Sequence, residues 1–278
     1  FGRGKGVVAY TLLCNHVPLN GWIIGAHDFE AHHVFDVWYR NTSDIVPEAI
    51  TGDMHSVNKA NFAILHWFGR RFEPRFTDLE HQLGELHCAD DPALYEKFLV
   101  RPVGQVDLQI IADEKQNLDR IVATLGLKEM TQGTLIRKLC TYTQPNPTRR
   151  AIFEYDKLVR SIYTLRYLRD PKLQRSVHRS QNRIESYHQL RSVIAQVGGK
   201  KELTGRTDLD LEISNQCGRL IANAIVFYNS AILSRLLAKC EAGGSEKALA
   251  LVQSVSPTAW RHVHLNGHYT FCGGGQAI

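Results

Sequence analysis

Residues 179–191 read Arg179-Ser-Gln-Asn-Arg-Ile-Glu-Ser-Tyr-His-Gln-Leu-Arg191, which sets one carboxylate, Glu185, inside the most basic part of the sequence. Ile184, Tyr187, Leu190, Ile194 and Val197 recur at three- to four-residue spacing, so a helix over 182–197 is predicted to bury that face. Glu185, His188, Gln189, Ser192 and Gln196 then share an adjacent, more polar face. From Arg149 to Arg191, eleven Lys/Arg stand against four acids, a local net of +7 in a chain whose total is +5. Basic charge concentrated along helices is the electrostatic footprint of a surface that binds polyanions. A solvated helix face is the alternative reading of the same pattern.

A chain of 278 residues accommodates one large core or two smaller ones, since single cores stop growing near about 250–300 residues. Its 44% hydrophobic and 22% charged residues are the composition of an ordinary globular protein. The six cysteines, Cys14, Cys88, Cys140, Cys217, Cys240 and Cys272, are scattered without a C-x-x-C pair. That spacing argues against a disulfide framework or a zinc knuckle and predicts a reducing, cytoplasmic home. The most apolar run, Cys217 to Cys240, carries Arg219, Asn223, Asn229 and Arg235, which are costly in a bilayer. It is therefore predicted to be a buried helix, with no membrane partner. The N-terminus, Phe1-Gly-Arg-Gly-Lys-Gly, has neither an initiator Met nor the apolar run of a signal peptide, which predicts a chain cut from something longer.

Residues 6–15 and 22–27 are apolar and partly β-branched, and Pro18-Leu-Asn-Gly21 between them reads as the tip of a hairpin. Asp28 suits the N-cap of a helix over 29–40. Pro47-Glu-Ala-Ile-Thr-Gly-Asp53 reads as a strand, and Asn58 to Phe68 has the apolar spacing of a helix. Asp53 thus falls where a strand feeds a helix, a place where functional groups collect in α/β sheets; simple helix capping is the equal alternative. A further strand is predicted near 71–76. Helical pattern follows over 94–99, 108–125 and 135–140, broken by Asp91-Pro92, Arg101-Pro102 and Gln144-Pro-Asn-Pro147, and reads as a helical insertion. Helices over 152–168 and 182–197 come next. The loop holding Lys200, Lys201 and Arg206 can present cations to a phosphate backbone. Helices over 214–239 and 247–252 precede a glycine-rich end.

His262, His264, His268 and Cys272 have metal-ligand chemistry but match no common zinc spacing. No phosphate-binding G-x-x-x-x-G-K-[ST] loop, G-x-S-x-G elbow or H-E-x-x-H motif occurs. What remains is a pair of carboxylates, Asp53 and Glu185, separated mostly by the insertion. Oxygen ligands of this type suit Mg²⁺ or Mn²⁺. Two such ions would activate an attacking water or 3′-hydroxyl and stabilise the leaving oxygen of a displacement at phosphorus.

Four stretches together carry a resemblance: Asn182-Arg-Ile-Glu-Ser-Tyr-His-Gln-Leu-Arg191, Gly199-Lys-Lys-Glu-Leu-Thr-Gly-Arg206, Cys217-Gly-Arg-Leu-Ile-Ala-Asn-Ala-Ile-Val-Phe-Tyr-Asn229, and Ser256-Pro-Thr-Ala-Trp-Arg-His262 with Leu265-Asn-Gly267. Over nearly its whole length the chain resembles the transposases of the Tn-three family of replicative transposons. The resemblance implies an α/β, RNase H-like catalytic domain with an Asp-Asp-Glu triad, a mixed sheet, a helical insertion and additional C-terminal helices. In those terms 1–76 is the first part of the core, 77–150 the insertion, 151–200 the core helix with the third acid, and 201–278 a C-terminal helical region. Asp53 in Thr-Gly-Asp-Met-His is then the second acid and Glu185 in Arg-Ile-Glu-Ser the third. Both hold a two-metal Mg²⁺ (or Mn²⁺) site. The resemblance implies that the first acid is to be expected on a strand before the opening hairpin, upstream of Phe1, a place that Asp28 and Asp36 do not fill because they follow the hairpin. A piece without that strand and acid is expected to be inactive alone. Arg179, Arg183, His188, Arg191, Lys200, Lys201 and Arg206 are the expected contacts to transposon ends and target DNA, and a homodimer is expected for the full-length protein. A non-catalytic DNA-binding or dimerisation piece and a general RNase H-like nuclease are the rival readings.

Overall fold

The structure is a computed structural model, and it describes residues 6–141, 146–197, 199 and 203–267. It opens with strands β1 (Val7–Cys14) and β2 (Val17–Gly25), paired in a two-stranded sheet. The Ala26 amide donates to Gly6 O at 2.9 Å, closing the open end of a hairpin. The turn is Asn15-His16, not the expected Pro18–Gly21. Asn15 takes the left-handed conformation, φ 56°, which asparagine tolerates better than most residues, and Pro18 to Gly21 continue the strand.

The helix expected over 29–40 is a 3₁₀ turn, Glu30–His33, followed by α1 (Val34–Tyr39). Asp28 does not cap it: its Oδ2 accepts from the Gly25 amide and closes the turn after β2. Then come β3 (Ala49–Ile50), α2 (Asn61–Trp67) and β4 (Arg71–Phe72), with β3 and β4 parallel. Asn58 precedes α2 as an Asx turn, its Oδ1 accepting from the Ala60 and Asn61 amides. Next are α3 (Leu79–Leu83) and the parallel pair β5 (His87–Cys88) and β6 (Gly104–Gln105). The helix expected over 94–99 is only a 3₁₀ turn, Pro92–Tyr95. Leu99, which that periodicity would bury, is 100% exposed, because no element among the described residues packs over it. Helices α4 (Leu108–Asp113), α5 (Lys115–Gly126) and α6 (Gln132–Thr141) complete this part.

Two long helices follow, α7 (Pro147–Arg169) and α8 (Pro171–Gln196). Helix α8 begins eleven residues before the expected Asn182. Pro171 fits a first helical turn, where no amide is needed, and the Asp170 carboxylate accepts from the Lys172 and Leu173 amides. Nothing between Lys172 and Gln181 then breaks the helix. Last come α9 (Asp208–Ala242), opened by a capping box between Thr207 and Asp210, and α10 (Glu246–Gln253), which packs against α9. The described residues are thus mixed α/β, mostly helical, with three two-stranded sheets.

The chain divides into two compact units, residues 1–15 with 19–183, and residues 16–18 with 184–278. In the first, Phe35, Phe62, Ile64, Leu65, Leu125 and Ile152 are each 2% exposed or less and belong to one continuous core. A polar knot crosses that core. Gln132, fully buried, accepts from the Phe35 amide at its Oε1 and donates to Asn61 Oδ1 and Ala31 O, while its own amide donates to Asp36. Burial pushes the Asp36 carboxyl up to about 6 against the opposing pull of the Gln132 amide and Arg40. The Asp156 carboxylate, on α7, accepts from the Phe62 and Ala63 amides at the start of α2.

In the second unit, Tyr187, Leu190 and Ile194 of α8 and Ala222, Ile225 and Val226 of α9 are the buried hydrophobic side chains of these helices among the described residues. Asn229 donates from Nδ2 to Pro257 O and Ala259 O, each at 2.7 Å, and its Oδ1 lies 2.8 Å from His262 Nε2. With both amide hydrogens spent, Oδ1 is the acceptor and His262 the donor. The expected burial of the Cys217–Cys240 run does not hold. By length and composition α9 can cross a membrane, yet it buries only a narrow stripe, and Leu209, Ile213, Leu220 and Phe227 are exposed along another.

Candidate active site and basic face

Asp53 is three residues past β3, where the parallel pair ends. It caps the 3₁₀ turn Met54–Ser56, its Oδ1 accepting from the His55 amide at 3.0 Å. Its Oδ2 has no hydrogen bond among the described residues. Asp53 follows the strand as expected, but it does not cap the helix after it: the amides at the start of α2 go to Asn58 and Asp156, and Asp53 caps only this 3₁₀ turn. The turn is held from behind: Ser56 Oγ donates to Asp53 O, and Asn61 Nδ2 donates to Ser56 O at 2.6 Å. Asn61 is in turn gripped by Gln132, so the position of Asp53 follows from the core knot. Gly52 permits the tight turn, because a Cβ there would come within 2.3 Å of Ser56 Oγ.

Tyr10 on β1 also belongs to this corner. Burial first, and then the carboxylates of Glu30 and Asp53, push its phenol above the ordinary range, so it stays a hydroxyl donor. Neither Tyr10 nor Glu30 stands out in the sequence, because β1 and the 3₁₀ turn meet Asp53 only through the fold.

Glu185 is exposed on α8 and belongs to the second unit, whereas Asp53 belongs to the first. His188 and Gln189 are exposed with it, and Tyr187, Leu190 and Ile194 are buried as expected, but Val197, expected on the same buried face, is 46% exposed because it follows the last residue of α8. Lys172, Arg175, Ser176, Arg179 and Arg183 line one concavity of about 380 Å³, with no carboxylate in its wall. Arg175 and Arg179 are exposed, and Arg183 Nη1 donates to Asn15 Oδ1 at 3.2 Å. Lys172 and Arg175 count toward the local charge but their grouping was not legible, because a helix starting at Asn182 leaves them off it. With α8 starting at Pro171, residues 172, 175, 179 and 183 fall at three- and four-residue steps on one face.

Arg191 is half-buried on α8, and Arg206 is exposed before α9 with its amide donating to Asp210 Oδ2. Lys200 and Lys201 lie outside the described residues, as do His268 and Cys272 of the weak metal pattern. No group of three or more His, Cys, Asp or Glu is arranged to hold a metal ion among the described residues. What the chain offers a divalent ion is single carboxylate donors, the open Oδ2 of Asp53 and the exposed Glu185, both of the oxygen type that Mg²⁺ and Mn²⁺ take.

The family described as the Tn3 transposase DDE domain matches residues 1–269. The chain belongs to that family. It is similar to the transposase for transposon Tn1546 of Enterococcus faecium, 26% identical over 98% of this chain and 27% of that protein. It is likewise similar to the transposase for transposon Tn2501 of Escherichia coli, 26% identical over 98% and 27%, and to that for transposon Tn4556 of Streptomyces fradiae, 25% identical over 98% and 30%. The chain therefore spans about three-tenths or less of the length of these relatives.

Proposed function

We propose that this chain is the catalytic region of a replicative DNA transposase, which nicks the 3′ ends of a transposon and joins them to target DNA without a covalent protein intermediate. The observation that carries the reading is α8, on which a carboxylate-free row of four cations precedes an exposed Glu185. Arg175, Arg179 and Arg183 hold backbone phosphates, with the planar guanidinium suited to two phosphate oxygens at once. Arg191, His188, Arg206, Lys200 and Lys201 extend the same contact. Asp53 and Glu185, with a third acid, hold the divalent metal. When bound, Mg²⁺ or Mn²⁺ supplies activation of the attacking hydroxyl and charge stabilisation of the leaving oxygen. Asp53 is suited to its part because its turn is fixed by Ser56 and Asn61, so its carboxylate needs no reordering.

Membership of the family and the parallel β3–β4 pair ending near Asp53 support an RNase H-like core, with 77–150 as its insertion and 201–278 as a C-terminal helical addition. The partners are transposon ends and target DNA, reached in the cytoplasm. The exposed stripe Leu209, Ile213, Leu220 and Phe227 of α9 supports a homodimer of the full-length protein. The test is 3′-end nicking and strand transfer with Mg²⁺ by a protein of the relatives' length. Activity that survives both Asp53→Asn and Glu185→Gln overturns the assignment.

A further inference from the structure

We propose that the cleft between the first half of α7 and the β5–β6 region is a nucleotide-binding pocket, which seats one nucleoside phosphate with its base against Phe153. The cleft belongs wholly to the first unit, and its lining does not include Glu185 or the arginines of α8. Its volume is about 670 Å³, within the range of about 300–1,000 Å³ usual for small-molecule sites.

Its charge is divided in an informative way. Lys59, Arg149, Arg150, Lys157 and Arg160 line it. The three acids in its wall are already engaged within the protein. Asp156 accepts from the Phe62 and Ala63 amides and from Arg160; Glu154 accepts from the Asp107 amide and from Lys157; Glu85 pairs with Arg160. Arg150 pairs with Asp107. Two cations remain, Lys59 and Arg149, whose side chains hold no hydrogen bond or ion pair among the described residues. In the same lining, the Nε of Arg160 is buried without a hydrogen-bond partner among the described residues. A pair of unbalanced cations in a cleft that also holds an unsatisfied donor is a place where an anion lowers the energy of the apo protein.

Phe153, Val103 and Ile110 supply apolar wall. Apolar surface beside cations is the combination that a nucleotide requires, since the base stacks on an aromatic ring while its phosphate meets the charge. A bare phosphate would leave the Phe153 side unfilled, and an apolar ligand would leave Lys59 and Arg149 unmatched. The nucleotide has two sources, a residue of a DNA strand or a free mononucleotide. The DNA source rests on the function proposed above; the pocket itself does not.

The test uses the whole chain and two probes, a fluorescent single-stranded oligothymidylate and thymidine monophosphate. The variants are Lys59→Glu and Arg149→Glu, with Lys97→Glu as a matched change of surface charge on an exposed lysine outside the cleft. Unchanged circular dichroism checks folding, since neither change removes a hydrogen bond or ion pair among the described residues. Each cleft variant is expected to weaken both probes about tenfold relative to Lys97→Glu, the scale of one charge-assisted hydrogen bond. An iodinated oligothymidylate is expected to photo-cross-link to the peptide holding Phe153. If only the mononucleotide is bound and weakened, the pocket stands and the DNA source is overturned. If DNA binds but the cleft variants match Lys97→Glu and no Phe153 cross-link forms, the pocket is overturned while the transposase reading survives. Binding of neither probe by the unaltered chain overturns the pocket outright.

Discussion

The Asp156 carboxylate caps α2 from a different helix: its Oδ1 lies 2.9 Å from the Phe62 amide nitrogen, ninety-four residues away in sequence. Its Oδ2 lies 3.2 Å from Arg160 Nη2. One buried acid therefore satisfies two orphan amides and a guanidinium. Asp156→Ala is expected to cost about 3 to 5 kcal/mol, because the arginine and amides lose their partner in a buried place. Asp156→Asn, which keeps an acceptor, is expected to cost less. Urea midpoints of the two variants check the order.

Burial pushes the Asp156 carboxyl up to about 6 from its ordinary 3.8, despite the opposing pull of Arg160 and the two amides, and Asp36 shifts to the same extent. Between these values the folded protein binds more protons than the unfolded chain. The contribution of these groups is fully present below about 4 and is lost as pH rises through about 6. Asp36→Asn is expected to remove its share of that slope, read as a smaller change in urea midpoint across this window than in the unaltered protein. An identical slope in the variant would refute it.

Asp53→Asn is expected to leave the melting temperature within a few degrees of the unaltered protein, because Oδ1 still accepts from the His55 amide. Nicking by a protein of full relative length is expected to fall by about a hundredfold or more, the scale of losing one preorganised charged group at a reacting phosphate. Asn61→Ala gives the contrasting result. It releases the Ser56 carbonyl and is expected to lower stability by about 1–3 kcal/mol as well as activity.

The α8 row predicts a salt signature. Arg175→Ala and Arg179→Ala are each expected to weaken duplex binding and to reduce the slope of log affinity against log salt by about 1, regardless of base sequence. Arg120→Ala, an exposed arginine on α5, is expected to leave the slope unchanged. Fluorescence anisotropy over a salt series measures both.

Asn229 predicts the weak point of the second unit. It is buried and supplies both hydrogen bonds to the carbonyls of Pro257 and Ala259. Asn229→Ala is expected to open the 256–262 segment, seen as early proteolysis there while α8 and α9 stay protected.

The sequence made the chemistry legible where a local pattern sufficed. Glu185 on a polar face beside buried Tyr187 and Leu190 follows from helical spacing, and Asp53 after a strand follows from its turn residues. Long helices α7 and α9 were visible for the same reason. Hidden were features set by distant partners. The start of α8 depends on Asp170 capping through Pro171, and the row formed by Lys172 and Arg175 depends on that start. Tyr10 and Glu30 meet Asp53 only across elements, and Leu94 and Leu99 look helical but find nothing to pack on. The apolar run of α9 reads as core by composition, yet the described residues cover only part of its circumference.

The turn that carries Asp53 also sets how this protein can drift. Gly52 tolerates no Cβ because of Ser56, Ser56 is tied to Asn61, and Asn61 to Gln132. These positions form a chain of mutual dependence eighty residues long, so a change at any one is rescued only by a change at its neighbour in that chain. Among distant relatives, residues 52, 56, 61 and 132 should therefore vary together or stay fixed together, and a deep mutational scan should find their single substitutions harmful out of proportion to their distance from DNA.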